Sequence, residues 1–202
     1  MALWLADQPL VLASSSASRR AVLAAAGIPL EIVPADIDER AIEAAAAPVS
    51  PGMVATLLAR AKARAVAALR PGRLVLGADQ TLALGERAFS KPADRAAARE
   101  QLRFLRGQTH ALCSALALLR DGDVLFEQRE IARLTMRAFS DDFLDSYLKA
   151  AGAAVTASVG AYQVEGLGIL LFERIEGDHF TILGLPLLAL LGALRRGGWL
   201  AA

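Results

Sequence analysis

Leu10-Val-Leu-Ala-Ser-Ser-Ser-Ala-Ser-Arg-Arg20 is the stretch from which the rest of the chain can be read. Leu10 to Ala13 form a short apolar run of the kind presented by a strand buried on both faces. Ser14-Ser-Ser-Ala-Ser18 breaks that run with small hydroxyl side chains that suit helix caps. An Ala/Leu-rich segment follows and stops at Gly27, a residue fitted to a left-handed C-cap. The order strand, polar turn, helix puts free N–H groups and the positive end of a helix dipole at the end of a buried strand. Such a corner can hold an anion, and Arg19 and Arg20 add charge-assisted donors suited to phosphate oxygens. The same residues also serve as a plain N-capped turn with two solvated arginines. Spacing alone leaves both readings open.

Working outward, residues 30–33 read as a second strand, followed by the acidic loop Asp36-Ile-Asp-Glu39 and an Ala-rich helix or helical loop over residues 41–47. Ser50-Pro51 is an N-cap and N1 pair that opens a helix to about Leu69, where Pro71-Gly72 ends it. Residues 74–78 form a further buried strand, ending at Asp79-Gln80-Thr81, and residues 82–89 form a hairpin turning at Gly85-Glu86. Asp94 caps a helix to Leu105. Residues 110–119 and 124–136 flank Asp121-Gly-Asp123 as a long antiparallel hairpin. Ser140 caps a helix through Ala151. Residues 169–175 and 180–183 form a last hairpin around Glu176-Gly-Asp178, and a helix closes the chain over residues 186–196. Strands and helices mix without strict βαβ alternation, which predicts an α/β fold with a mixed, partly antiparallel sheet and flanking helices.

The bulk numbers set limits. The chain has 202 residues, enough for one domain, taken as residues 1–202, or for two small lobes around a shared cleft. Hydrophobic residues make up 55% and charged residues 21%, so a core forms readily and disorder is not expected. Aromatic residues are only 5%, which leaves few platforms for stacking single-stranded nucleic acid. Lysine and arginine number 22 against 21 acidic residues, and a net charge of +1 gives no global field to attract a polyanion. Phosphate recognition must therefore be local, and no nucleic-acid polymer is expected as a partner. Cys113 is the single cysteine, so no intrachain disulfide forms; with His110 and His179 the only histidines, a Cys/His zinc site is close to excluded. No positive charge precedes Asp7, unlike a secretory signal. The strongest apolar run, residues 180–194, falls short of the roughly 20 residues needed to span a bilayer. A cytoplasmic protein without a membrane partner is expected.

Several isolated residues carry chemical potential. Asp79, after an apolar strand, is placed where α/β enzymes often keep a catalytic carboxylate; it can activate water or hold Mg²⁺, or it can simply open an Asx-turn. Lys62, in an otherwise Ala/Leu/Arg helix, and Lys91, extended by the following Pro92, can each reach a phosphate or lie in solvent. Asp36, Asp38 and Glu39 can help hold a metal or form a soluble turn. His110 and His179 stand at strand starts and receive no catalytic role. Walker A, G-x-G-x-x-G and G-x-S-x-G patterns are lacking.

Taken together these segments resemble the Maf family. Leu12-Ala-Ser-Ser-Ser-Ala-Ser-Arg-Arg20 resembles its opening L-A-S-x-S-P-x-R-R signature, and Gly77-Ala-Asp-Gln80 its (G/A)-(S/A)-D-(T/Q) segment. Lys91-Pro92, Leu105-Arg-Gly-Gln-Thr-His110, Gly160-Ala-Tyr-Gln-Val-Glu-Gly166, Phe172-Glu-Arg-Ile-Glu-Gly177 and Gly184-Leu-Pro186 follow in order, so the resemblance spans about residues 10–196. It implies a usually dimeric fold of two lobes around a deep cleft. It also implies hydrolysis of a nucleoside triphosphate to monophosphate and pyrophosphate with a divalent cation, Mg²⁺ or Mn²⁺, serving to clear modified nucleotides. An alternative reading is a non-catalytic nucleotide-binding regulator of septum formation. By resemblance Asp79 is the general base, Ser14, Arg20, Lys62 and Lys91 bind phosphate, and Glu39 lies near the metal. Ser18, Gln80 and Glu165 fall on positions tied to base selectivity, with Gln80 and Phe172-Glu-Arg closer to the 7-methyl-GTP branch. Three departures stand out: Ala17 for proline, Ala61 for the glutamate often found before the lysine, and Ser18 for arginine or tryptophan.

Overall fold

The computed structural model describes residues 3–46 and 49–202. Its strands are β1 (Leu10–Leu12), β2 (Leu30–Ile32), β3 (Val75–Leu84), β4 (Arg87–Phe89), β5 (Thr109–Arg120), β6 (Asp123–Met136) and β7 (Phe172–Glu176). The helices are α1 (Ala17–Ala25), α2 (Glu39–Ala46), α3 (Pro51–Ala67), α4 (Arg95–Leu105), α5 (Asp141–Ala151), α6 (His179–Ile182) and α7 (Leu187–Arg196). The strands form one sheet in the order β2-β1-β3-β5-β6-β7, with β4 beside β3. β1 runs parallel to β2 and β3, whereas β3, β5, β6 and β7 are antiparallel to one another in turn. The expected mixed, partly antiparallel sheet is present.

Local signals account for most boundaries. Ser16, Asp94 and Ser140 cap α1, α4 and α5, their side chains accepting from Arg19 N, Ala97 N and Phe143 N. Gly27 follows α1 with φ +72°, the left-handed geometry a C-terminal glycine supplies. Among the described residues no helix is long and apolar enough to cross a membrane. The helix expected over residues 41–47 is α2, which begins earlier, so Glu39 opens a helix rather than ending a loop; Ala47 lies outside the described residues.

Several expected element boundaries are corrected. β3 does not stop at Ala78 but pairs with β5 without interruption from Val75↔Leu119 to Ala83↔Ala111, so Asp79 sits inside a strand. Residues 180–183 are not a strand: Asp178 caps the single turn α6 by accepting from Thr181 N at 2.8 Å, and His179 starts that helix. The strand expected over residues 169–175 begins only at Phe172, after a short 3₁₀ helix over Leu167–Leu171, and β7 takes β6 as its neighbour instead of a hairpin partner.

The core divides along the sheet. On one face Leu10, Leu12, Leu76, Ala78, Leu116 and Leu118 pack against Val22 and Leu23 of α1 and Leu187, Leu190 and Leu194 of α7. On the other, Val11, Ala13, Val75, Ala117 and Leu119 meet Ala63, Val66 and Ala67 of α3. Further along the same long strands, Leu82, Leu112, Leu134 and Met136 join α4, α5 and the segment leading to β7 in a separate cluster. β3 thus leaves one core after Ala78 and enters another at Leu82. The residues between, Asp79, Gln80 and Thr81, are polar, and a cleft opens there.

Candidate active site

The cleft has a volume of about 720 Å³, within the range of small-molecule sites. Its floor is the polar joint of β3. The first wall is the turn between β1 and α1. Ser14 Oγ accepts from Ser16 N and from Arg19 Nη1, each at 3.2 Å. Arg19 is almost fully buried, and its Nε donates to the Gly184 carbonyl at 2.8 Å. Burial lowers the pKa of this guanidinium, while Asp79 and Glu39 favour its charge; it remains a cation. Arg20 is exposed and does not line the cleft. Successive helical residues point about 100° apart, so one arginine of the pair can face inward and the other cannot.

The second wall is α3, and small residues bring it close. A Cβ on Gly77 would lie 2.1 Å from the Ala59 carbonyl oxygen and 2.9 Å from Ala63 Cβ. With Ala55, Ala59 and Ala115 also packed together, the helix rests directly on the sheet. This proximity places Lys62 Nζ 2.6 Å from Asp79 Oδ1, and the same ammonium reaches Glu39 Oε1 at 2.9 Å. Lys62 therefore holds two carboxylates without help from position 61, where alanine stands. Asp79 is 7% exposed. Burial raises its pKa; Lys62 and Arg19 oppose that shift, and Glu39 adds to it. A buried carboxylate with a raised pKa, set beside cations in a cleft, is equipped for proton transfer.

Among the described residues no group of three or more His, Cys, Asp or Glu side chains converges on a metal position. Asp79 and Glu39 are the carboxylates that meet at Lys62. Two carboxylate donors fit a hard divalent cation whose remaining ligands are substrate phosphates and water.

The rim carries the other expected residues. Lys91 lies in the loop after β4, exposed and facing the cleft. Ser18 Oγ donates to Glu165 Oε1 at 2.9 Å, joining the first turn of α1 to the loop of residues 157–166. Gln80 Nε2 approaches Ser114 Oγ at 2.9 Å and the Thr181 and Ile182 carbonyls at 3.1 Å each. Ser14, Ser18, Arg19, Glu39, Lys62, Asp79, Gln80, Lys91 and Glu165 all line the one cleft. Sequence reasoning passed over Arg40, Tyr162 and the Gly184 carbonyl, which belong to the same site. Gly184-Leu-Pro186 is visible as a motif; Arg40, one arginine among many, gives no signal.

Fold and site define a mixed α/β protein whose buried carboxylate and cations meet under a serine-rich turn. The chain belongs to the Maf family: the family model described as Maf-like protein matches residues 9–197. It is 59% identical to a nucleoside triphosphate pyrophosphatase of Rhodopseudomonas palustris over the full length of both chains. It is 60% identical to one of Bradyrhizobium diazoefficiens over 96% of each chain. A 7-methyl-GTP pyrophosphatase of Mesorhizobium japonicum is 54% identical over 95% of this chain and 97% of that one.

Proposed function

We propose that this protein hydrolyses nucleoside triphosphates to monophosphate and pyrophosphate. The observation that carries the proposal is the buried Asp79, held by Lys62 beside the Ser14–Arg19 turn, in a chain 59% identical to a nucleoside triphosphate pyrophosphatase. Arg19, Lys62 and Lys91 hold the phosphate tail from three sides. Asp79 takes the proton of a water that attacks the α-phosphorus. The bond from that phosphorus to its bridging oxygen breaks, and pyrophosphate leaves against the cations. Asp79 and Glu39 would hold the divalent cation, Mg²⁺ or Mn²⁺, which when bound neutralises charge on phosphoryl oxygens.

Base choice falls to the rim. Glu165 offers only acceptors, and the Ser18 hydroxyl fixes one of its oxygens. Guanine presents two adjacent donors to such a carboxylate, whereas uracil and thymine present one donor flanked by carbonyls. Guanine-type and modified purine nucleotides are therefore the favoured substrates, 7-methyl-GTP among them, in keeping with the Mesorhizobium japonicum relative. The physiological task in this reading is to clear modified nucleotides in the cytoplasm, with the chain acting as a homodimer. The test is chromatographic. Monophosphate plus pyrophosphate is expected, with turnover abolished by a chelator; diphosphate plus orthophosphate would overturn the proposal.

A further inference from the structure

Gln80 falls on a position tied to base selectivity, yet its amide nitrogen is spent elsewhere. The Thr181 and Ile182 carbonyls are acceptors only, so the nitrogen and not the oxygen of the amide must face them. Ser114, fully buried, accepts from that nitrogen and donates its own proton to the Thr181 carbonyl at 2.7 Å. Two amide hydrogens are thus shared among three acceptors, and none remains for a nucleobase.

These bonds have a destination. α6 is a 4-residue helix, too short to hold itself in place. Thr181 Oγ1 adds a bond to Glu130 Oε2 on β6 at 2.8 Å, so side chains of β3, β5 and β6 pin the turn to the sheet. The pinned turn ends at Gly184, whose φ of +92° lies in the left-handed region. A Cβ there would meet Arg19 Nε at 3.5 Å and Gln80 Oε1 at 3.7 Å. The Gly184 carbonyl is the acceptor that aims the Arg19 guanidinium at Ser14.

We infer that Gln80, with Ser114, is a positioning residue for Arg19: through the Thr181–Gly184 turn its amide nitrogen sets the anion-binding guanidinium. The inference rests on the cleft being the phosphate site proposed above. Its test uses inorganic tripolyphosphate, a probe without a base, titrated calorimetrically into the full-length protein. Gln80→Met keeps the length of the side chain and removes its donors. It is expected to weaken tripolyphosphate binding about tenfold or more, and to add little in an Arg19→Gln background, because both changes act on one contact. Unchanged tripolyphosphate affinity in Gln80→Met, or independent losses in the double variant, would each overturn the inference. Should Gln80→Met not fold, Ser114→Ala removes a donor to the same carbonyl and carries the same measurements with the same opposed outcomes. A wild-type protein that neither binds tripolyphosphate nor turns over nucleotides would instead remove the phosphate-site reading itself, and this inference with it.

Discussion

Replacing Gly77 by alanine tests whether the contact between α3 and β3 sets the chemistry. The added Cβ would lie 2.1 Å from Ala59 O, 2.7 Å from Ala63 N and 2.9 Å from Ala63 Cβ. None of these atoms belongs to a flexible side chain, so no rotamer relieves the clash. The helix must rise from the sheet by about 1 Å in a close-packed interior. Overpacking of this kind costs about 1–3 kcal/mol, and at about 2–4 °C per kcal/mol for a chain of this size the melting midpoint falls by several degrees. Lys62 rides on α3, and Asp79 does not. A displacement of about 1 Å between reacting groups lowers kcat by about 100-fold. Two controls isolate the cause. Gly72→Ala, at φ +73° with nothing within 4 Å of the added Cβ, loses about 1–2 kcal/mol from backbone strain alone and keeps its turnover. Ala63→Gly in the Gly77→Ala background relieves only the 2.9 Å contact and does not restore activity. A folded Gly77→Ala protein with wild-type kcat and melting midpoint refutes the reasoning.

Asp79→Asn should lower kcat by about two to four orders of magnitude while the fold persists. Because the fold disfavours the charged carboxylate, stability at that site is lost as pH rises through the raised pKa of Asp79; the variant, free of this loss, should be at least as stable at neutral pH in urea melts. Full activity in the variant would transfer the base role to Glu39. His110 bonds Tyr162 Oη through Nε2 at 2.6 Å and is pushed by burial from 6.5 down to about 4. The folded state keeps it neutral, so its contribution is complete above about pH 6.5 and is lost as pH falls towards 4, on the order of 3 kcal/mol in all. His110→Gln should flatten the acid side of the stability–pH curve, and an equally steep curve would show that other groups govern acid unfolding. Glu165→Gln should raise kcat/KM for UTP and dTTP relative to guanine nucleotides; a native enzyme that already prefers UTP and dTTP would remove Glu165 from base selection.

How much of the site is visible in the sequence depends on whether the deciding contact is local. The Ser14–Arg20 turn could be placed because apolar run, cap and helix follow one another. Which arginine faces inward depends on the phase of α1 against Gly184, 165 residues away. Asp79-Gln80-Thr81 looks like the end of a strand because three polar residues interrupt an apolar run. The ladder continues because each finds a distant partner: Lys62 for Asp79, Ser114 for Gln80 and the Pro51 carbonyl for Thr81. Phe180-Thr-Ile-Leu183 has the β-branched and aromatic character of a strand. Its single helical turn is fixed by the Asp178 cap and by the bonds from Gln80 and Ser114, and tertiary contacts outweigh propensity. Glu39 was readable as an acidic residue; its meeting with Lys62 rests on α2 folding back onto α3, for which the sequence offers no spacing rule.

The bond between Arg19 and Gly184 also orders events during synthesis. The turn that captures Arg19 is translated long after α1, so a nascent chain that ends before residue 184 carries its serine turn with an unanchored arginine. Closing a loop of 165 residues is entropically slow and comes late. The Arg19–Gly184 bond should therefore be one of the last contacts the folding chain acquires, after the parallel strands and the long hairpin have formed.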